Sequence, residues 1–217
     1  MEMKLEISEL RKQYGKKVVL DGVSLTAKAG ECICILGGNG SGKSTLLSIL
    51  AGIIRADGGS FQTSGEEKAA IGYVPQGTPL LEELSAKDNL KLWYDSKTLK
   101  RELEDGVLKL LGVDEFLKVP VRKMSGGMKK RLSIGCAVAG NPQILLLDEP
   151  TAALDIACKD NIYSYVRQFK EKGGIVLLAT HDLHEIGLCD RSYVLREGKL
   201  TEYHYDGDVH KLAEWMK

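Results

Sequence analysis

The sequence has no long hydrophobic run, no excess of either charge, no paired-cysteine motif and no repeat. Its longest apolar stretches, such as Ile144–Leu147 and Ile175–Ala179, are far shorter than the roughly 18–20 residues a membrane-crossing helix needs. They suit short strands buried on both faces. The N-terminal MEMKLEISELRKQYG carries charges throughout and lacks the apolar core of a signal peptide. Lysine plus arginine and aspartate plus glutamate both total 30. A chain so balanced lacks the basic footprint of a nucleic-acid binder, and no nucleic-acid partner is expected. Cys32, Cys34, Cys136, Cys158 and Cys189 form no CxxC pair. Cys32 and Cys34 share one face of an expected strand without further ligands nearby in sequence, so buried, reduced thiols are expected, not a cluster or disulfide scaffold.

What is present is strand and helix in alternation. A length of 217 residues suits one large domain or two small ones. Strands are expected at Lys4–Leu10, Val18–Leu20, Val23–Ala27 and Cys32–Leu36, with a turn at Ala29-Gly30, and a helix at Ser44–Ala51 ended by Gly52. From about Thr78 to Gly140 apolar residues recur at helical spacing, as in Leu99, Leu103, Val107, Leu110 and Leu111. Strand texture returns in Ile144–Asp148, followed by a helix near Ile156–Lys170 and a strand from Ile175. A hairpin turning at Glu197-Gly198 and a short helix complete the chain. This alternation predicts an α/β layered domain.

Gly37, Gly38, Asn39, Gly40, Ser41, Gly42, Lys43 and Ser44 fit GxxxxGK[ST] without a gap, with Thr45 following. Glycines let successive backbone N–H groups turn inward as an anion cradle, where a Cβ would clash. The following helix aims its positive end at the same point. In this pattern Lys43 reaches the outer phosphates and Ser44 offers a hydroxyl to Mg²⁺, which makes a nucleotide with Mg²⁺ the expected ligand pair. The strand that ends in Asp148-Glu149 brings two carboxylates to the sheet edge where such folds bind ligands. Asp148 suits the Mg²⁺ shell, and Glu149 suits a general base that polarises water against the γ-phosphate.

Between these elements lies Met124-Ser125-Gly126-Gly127-Met128, and the combination resembles the ATP-binding-cassette (ABC) ATPases, whose signature is usually written LSGGQ. Tyr14 matches the aromatic that stacks on adenine, placed ahead of the first hairpin; Gln76 in YVPQ matches the Q-loop glutamine, a further Mg²⁺ contact. Asp155 in AALD matches the D-loop and His181 in ATHD the H-loop histidine. His181 and His184 lack the HExxH order of a zinc protease. SGGMKKR with the compact insertion is most similar to ATPases of ABC-2-type bacterial exporters.

The resemblance implies one domain over residues 1–217. Its P-loop (RecA-like) core, with an N-terminal antiparallel β-subdomain, takes about 1–77 and 141–217, and an inserted helical subdomain takes about 78–140. It further implies that Ser125, Gly126 and Gly127 complete the ATP site of a second ATPase subunit, most simply a second copy of this chain. Glu149, His181, Lys43 and Gln76 are the implied catalytic residues. A separate transmembrane permease subunit would dock near Gln76 and the insertion, holding the ATPase at the cytoplasmic face of the membrane. A soluble ABC-type ATPase of an assembly machinery, such as iron–sulfur cluster assembly, is the alternative. A DNA-repair cassette would carry a long coiled coil between the glycine loop and the signature, which is absent, and a switch without turnover would not need both Glu149 and His181. Two departures stand out: the signature has methionine at 124 and 128, and the loop reads GGNG where the family commonly has GPNG. Met124 conserves volume; Met128 removes an amide available for an interface hydrogen bond, so activity with altered coupling is expected.

Overall fold

The computed structural model describes residues 3–64, 69–152 and 154–216. The ends of the expected domain at Met1, Glu2 and Lys217, and Ala153 within the AALD stretch, lie outside the described residues. Strands β1 (Lys4–Tyr14), β2 (Lys17–Lys28) and β4 (Gly58–Ser64) form an antiparallel sheet in the order β2-β1-β4. Strands β3 (Cys32–Leu36), β5 (Ile71–Val74), β6 (Ile144–Asp148), β7 (Ile175–Ala179), β8 (Arg191–Arg196) and β9 (Lys199–Glu202) form a second sheet in the order β5-β6-β7-β3-β8-β9. Every pairing in it is parallel except β8–β9. The β8–β9 turn has Glu197 and Gly198 at φ 50° and 77°, the pair of left-handed residues a tight hairpin prefers.

The three apolar strands β3, β6 and β7 are buried on both faces, as their uniform composition predicts. Their side chains alternate between two cores. Ile33, Ile35, Leu146 and Leu177 pack with the antiparallel sheet and with Leu46, Leu47 and Leu50 of α1 (Lys43–Leu50). Cys34, Leu36, Leu147 and Leu178 pack with the remaining helices on the opposite face. Those helices are α2 (Ala86–Leu90), α3 (Ser96–Glu104), α4 (Val107–Leu110), α5 (Gly126–Ala137), α6 (Ile156–Glu171), α7 (Leu183–Ile186) and α8 (Val209–Met216), with 3₁₀ turns at Val113–Phe116 and Val121–Lys123.

Several expectations change in detail. The separate strands expected around Asp21 are one continuous β2, which accommodates Gly22 at φ 77°. β1 continues to Tyr14, so that residue closes the first strand of the hairpin, paired with Lys17, and does not precede it. The helical period read through Leu99–Leu111 is two helices. The break falls at Gly106, where the Glu102 carboxylate accepts from Val107 N at 2.9 Å in place of a helical carbonyl. Cys32, Cys34 and Cys158 are buried, whereas Cys136 and Cys189 are half-buried. The fold also brings Cys189, remote in sequence, to 3.2 Å from Cys32, sulfur to sulfur. Among the described residues no group of three or more His, Cys, Asp or Glu side chains could hold a metal, and no helix is long and apolar enough to cross a membrane.

Candidate nucleotide site

Because β3, β6 and β7 run parallel, their C-terminal ends lie along one sheet edge. That edge collects the glycine loop after β3, Asp148 at the end of β6 with Glu149 next to it, and His181 after β7. A cleft of about 420 Å³ opens there, lined by Tyr14, Lys17, Val19, Asn39 to Thr45, Gln76 and Glu149. Lys17 and Val19 were not singled out from sequence, since only the β1–β2 hairpin carries them to the loop.

The glycine loop has the geometry its composition requires. Gly42, which caps α1, sits at φ 111°; a Cβ there would meet Val19 Cγ1 at 2.9 Å and its carbonyl at 3.0 Å. Gly37 is at φ 154°, and a Cβ would fall 2.6 Å from Leu195 O. Gly40 is at φ 76° facing open space, so its backbone angle alone demands glycine. Gly38, where the family's proline is missing, lies against the end of α8: a Cβ would meet Met216 O at 3.2 Å. Gly38 therefore leaves that carbonyl room.

Lys43 is nearly enclosed, with Nζ donating to Gly37 O at 2.7 Å and Gly38 O at 3.3 Å. Burial pushes its ammonium pKa down, and the charges of Glu149 and Asp148 push it back up. Asp148 is 2 % exposed. Burial raises its pKa, a hydrogen bond with the Ser44 hydroxyl opposes that, and the neighbouring Glu149 adds to it. Ser41 Oγ is buried without a partner, so the loop holds an unused donor beside its anion cradle.

Glu149 adopts the left-handed backbone, φ 47°, an uncommon conformation for a residue with a Cβ. Its N–H donates to Ala179 O at 2.8 Å, which ties the exit of β6 to the end of β7. The carboxylate is held on both sides: Gln76 Nε2 donates to Oε2 at 3.1 Å and His181 Nδ1 lies 3.2 Å from Oε1. Three expected catalytic residues thus meet at one point, and strain at such a point is common in functional sites.

Ser125, Gly126, Gly127 and Asp155 do not line the cleft. Ser125 caps α5, accepting from Met128 N at 3.2 Å, and Asp155 caps α6, accepting from Cys158 N at 2.8 Å. Gly127 packs on the start of α6 so closely that a Cβ would lie 2.6 Å from Cys158 Sγ. The signature turn and the Asp155 turn therefore adjoin each other, with Ser125, Gly126 and Asp155 exposed to solvent.

Three residues not foreseen support this edge. Lys130 Nζ donates to Pro75 O and Gln76 O, both at 3.0 Å. Glu185, 1 % exposed, accepts from Thr151 Oγ1 at 2.5 Å. Lys159 Nζ pairs with Asp182 at 2.7 Å, bracing the segment beside His181 from α6. Each contact joins segments remote in sequence, and no local pattern announces it.

A strand leading into a glycine cradle, a buried lysine on that cradle and a hydroxyl–carboxylate pair behind it define a P-loop ATPase with a second, solvent-facing turn at a helix N-terminus. The chain belongs to the ABC transporter family, whose model matches residues 20–152, and it is an ATPase of that family. It is 35% identical over 211 residues to the linearmycin resistance ATP-binding protein of Bacillus subtilis, covering 90% of this chain and 67% of that protein. It is 37% identical to a Nod factor export ATP-binding protein of Sinorhizobium fredii, covering 91% of this chain and 62% of that protein, so it spans under two thirds of that relative. An ATP-binding cassette solved as a dimer in a post-hydrolysis state with ADP and Pi superposes with a TM-score of 0.80 at 27% identity, covering 94% of this chain and all of that one.

Proposed function

We propose that this chain hydrolyses ATP as one of two cassettes that close on each other and drive a separate membrane-embedded exporter subunit. The observation that carries this reading is the separation within one chain between the glycine cleft and the signature turn, which exposes Ser125 and Gly126 to solvent. Both present N–H groups at a helix start, so both suit phosphate. A two-fold pair lets each turn face the other chain's cleft, so ATP completes the interface. The dimeric relative and the export and resistance functions named for its relatives support the same reading. A permease docked beside Gln76 and the insertion would hold the chain at the cytoplasmic membrane face.

In the cleft Tyr14 offers a ring to the base, and Asn39 to Thr45 cradle the phosphates with Lys43 countering their charge. Ser44, Asp148 and Gln76 supply oxygen donors of the kind Mg²⁺ takes, and their small number suits an ion that keeps water and phosphate ligands. Bound there, Mg²⁺ would offset phosphate charge. Glu149, oriented by Gln76 and His181, takes a proton from the attacking water. Loss of the γ-phosphate then removes the bridge between the subunits.

The test is Ser125→Arg, which places a bulky cation in the turn without touching the chain's own cleft. Steady-state phosphate release should fall steeply while a fluorescent ATP analogue binds the monomer with unchanged affinity. Normal turnover with normal ATP dependence would exclude the paired site. Co-purification from membranes with a polytopic protein, and not with soluble assembly factors, is expected for an exporter.

A further inference from the structure

The basic run after the signature sends its three side chains to different places. Lys129 Nζ reaches Glu82 at 3.4 Å near the surface. Arg131 donates to Leu111 O at 3.1 Å with its guanidinium 5.0 Å from the Phe116 ring centre. Lys130, between them, is 5 % exposed and gives two hydrogen bonds to the backbone carbonyls of Pro75 and Gln76. Among the described residues it forms no ion pair within 4.0 Å, so its direct partners in the interior are two backbone carbonyls. Such burial is costly. It is offset only where the charge meets a field, and the nearby charges of Asp148, Glu149 and Glu185 favour the protonated form against the burial that opposes it.

The position of Lys130 gives that cost a use. It lies in the helix that Ser125 caps, and it grips the loop whose Gln76 side chain reaches Glu149 at 3.1 Å. Ser125, α5, Lys130, the Gln76 backbone, the Gln76 amide and the Glu149 carboxylate are thus a continuous series of contacts in one chain. A tilt of α5 moves the two carbonyls, and with them the amide that orients the carboxylate.

We propose that Lys130 is a positioning residue for ATP hydrolysis: its ammonium fixes the Pro75 and Gln76 carbonyls so that the placement of Gln76 on Glu149 follows the placement of the signature helix. The proposal rests on the assignment of Glu149 as the base. A residue that acts this way governs the chemical step and leaves nucleotide binding to the glycine loop.

The test compares wild type, Lys130→Met, Lys130→Arg and Glu149→Gln by steady-state phosphate release, titration with a fluorescent ATP analogue, and thermal melting. Lys130→Met, close in shape but unable to donate, should lower kcat roughly ten- to a hundredfold, the scale of a misplaced catalytic group. KM for Mg-ATP and the analogue Kd should stay within about twofold, since the glycine loop is intact. Lys130→Arg, which keeps charge and donors, should recover most of kcat. Lys130→Met with wild-type kcat, a Kd that rises in step with the fall in kcat, or no recovery with arginine would each overturn the proposal. If Lys130→Met does not fold, Lys130→Leu, which also lacks a donor, replaces it. Failure of both neutral variants to fold beside a fully active Lys130→Arg would assign the residue to stability and also overturn it. Turnover retained in Glu149→Gln would instead sink the underlying site assignment, a separate result from any obtained at Lys130.

Discussion

Gln76, on the loop after β5, donates its side-chain amide to the Glu149 carboxylate at 3.1 Å, joining residues 73 positions apart. His181 approaches the other carboxylate oxygen, so the group is oriented by two partners. Gln76→Ala should leave His181 in place and reduce turnover about tenfold, whereas Glu149→Gln removes the proposed base and should cost roughly 10²–10⁴. In the latter variant ATP should persist and hold two copies together. Phosphate release and size-exclusion chromatography with Mg-ATP measure both. A monomeric Glu149→Gln protein at saturating Mg-ATP would contradict ATP-driven pairing.

Tyr14 stands 48 % exposed at the cleft mouth, with Lys12 Nζ 5.4 Å from its ring centre. An aromatic this open has little packing to lose. Tyr14→Ala should therefore leave the melting temperature almost unchanged and weaken ATP binding by roughly three- to tenfold, the value of one stacked pair. Tyr14→Phe should bind as wild type. Fluorescent-nucleotide titration distinguishes the three.

The contact between Gly127 and Cys158 predicts a compensating pair. Gly127→Ala would place a methyl 2.6 Å from Cys158 Sγ, with Cys158 Cβ at 3.3 Å. Overpacking of this kind costs about 1–3 kcal/mol. Removing the sulfur with Cys158→Ala should return part of it, giving a favourable coupling on the order of 1 kcal/mol in a double-mutant cycle. Urea denaturation of the four proteins provides the numbers, and strict additivity would exclude the clash.

Glu185 predicts a signature in pH. Burial raises its pKa above the ordinary 4.5, against the opposing hydrogen bonds from Thr151 and Thr180. The native state then holds this proton more tightly than the unfolded chain does. Its contribution to stability accordingly falls as pH rises from 4.5 through the raised native pKa, and is constant above it. Glu185→Gln lacks this titration, so its stability relative to wild type should increase with pH across that window. Urea midpoints measured for both proteins from about pH 5 to 8 test the sign; a Glu185→Gln stability that falls relative to wild type as pH rises would refute it.

How much of this was legible beforehand depends on how local each signal is. The glycine loop, the apolar strands and the paired acids of β6 are contiguous patterns, and each stands where the sequence places it. β4 was not foreseen, because Gly58-Gly59-Ser60 weakens any strand pattern and the strand exists only by pairing with β1. Tyr14 was recognised while its place in the hairpin was not, since strand ends depend on the pairing partner. Nothing in the sequence sets Lys130 apart from the cations on either side of it, and nothing marks Glu185. Both take their meaning from carbonyls and hydroxyls tens of residues away, which only the folded chain assembles.

β5 and β6 are hydrogen-bonded neighbours, with Ile71 opposite Ile144 and Val74 opposite Leu147, although the whole stretch containing α2 to α5 intervenes. That stretch leaves the sheet and rejoins it through adjacent doorposts. Evolution can therefore trade one such module for another of different length or partner preference without rethreading a single strand, which makes the segment between Gln76 and Gln143 the natural unit for building chimeras.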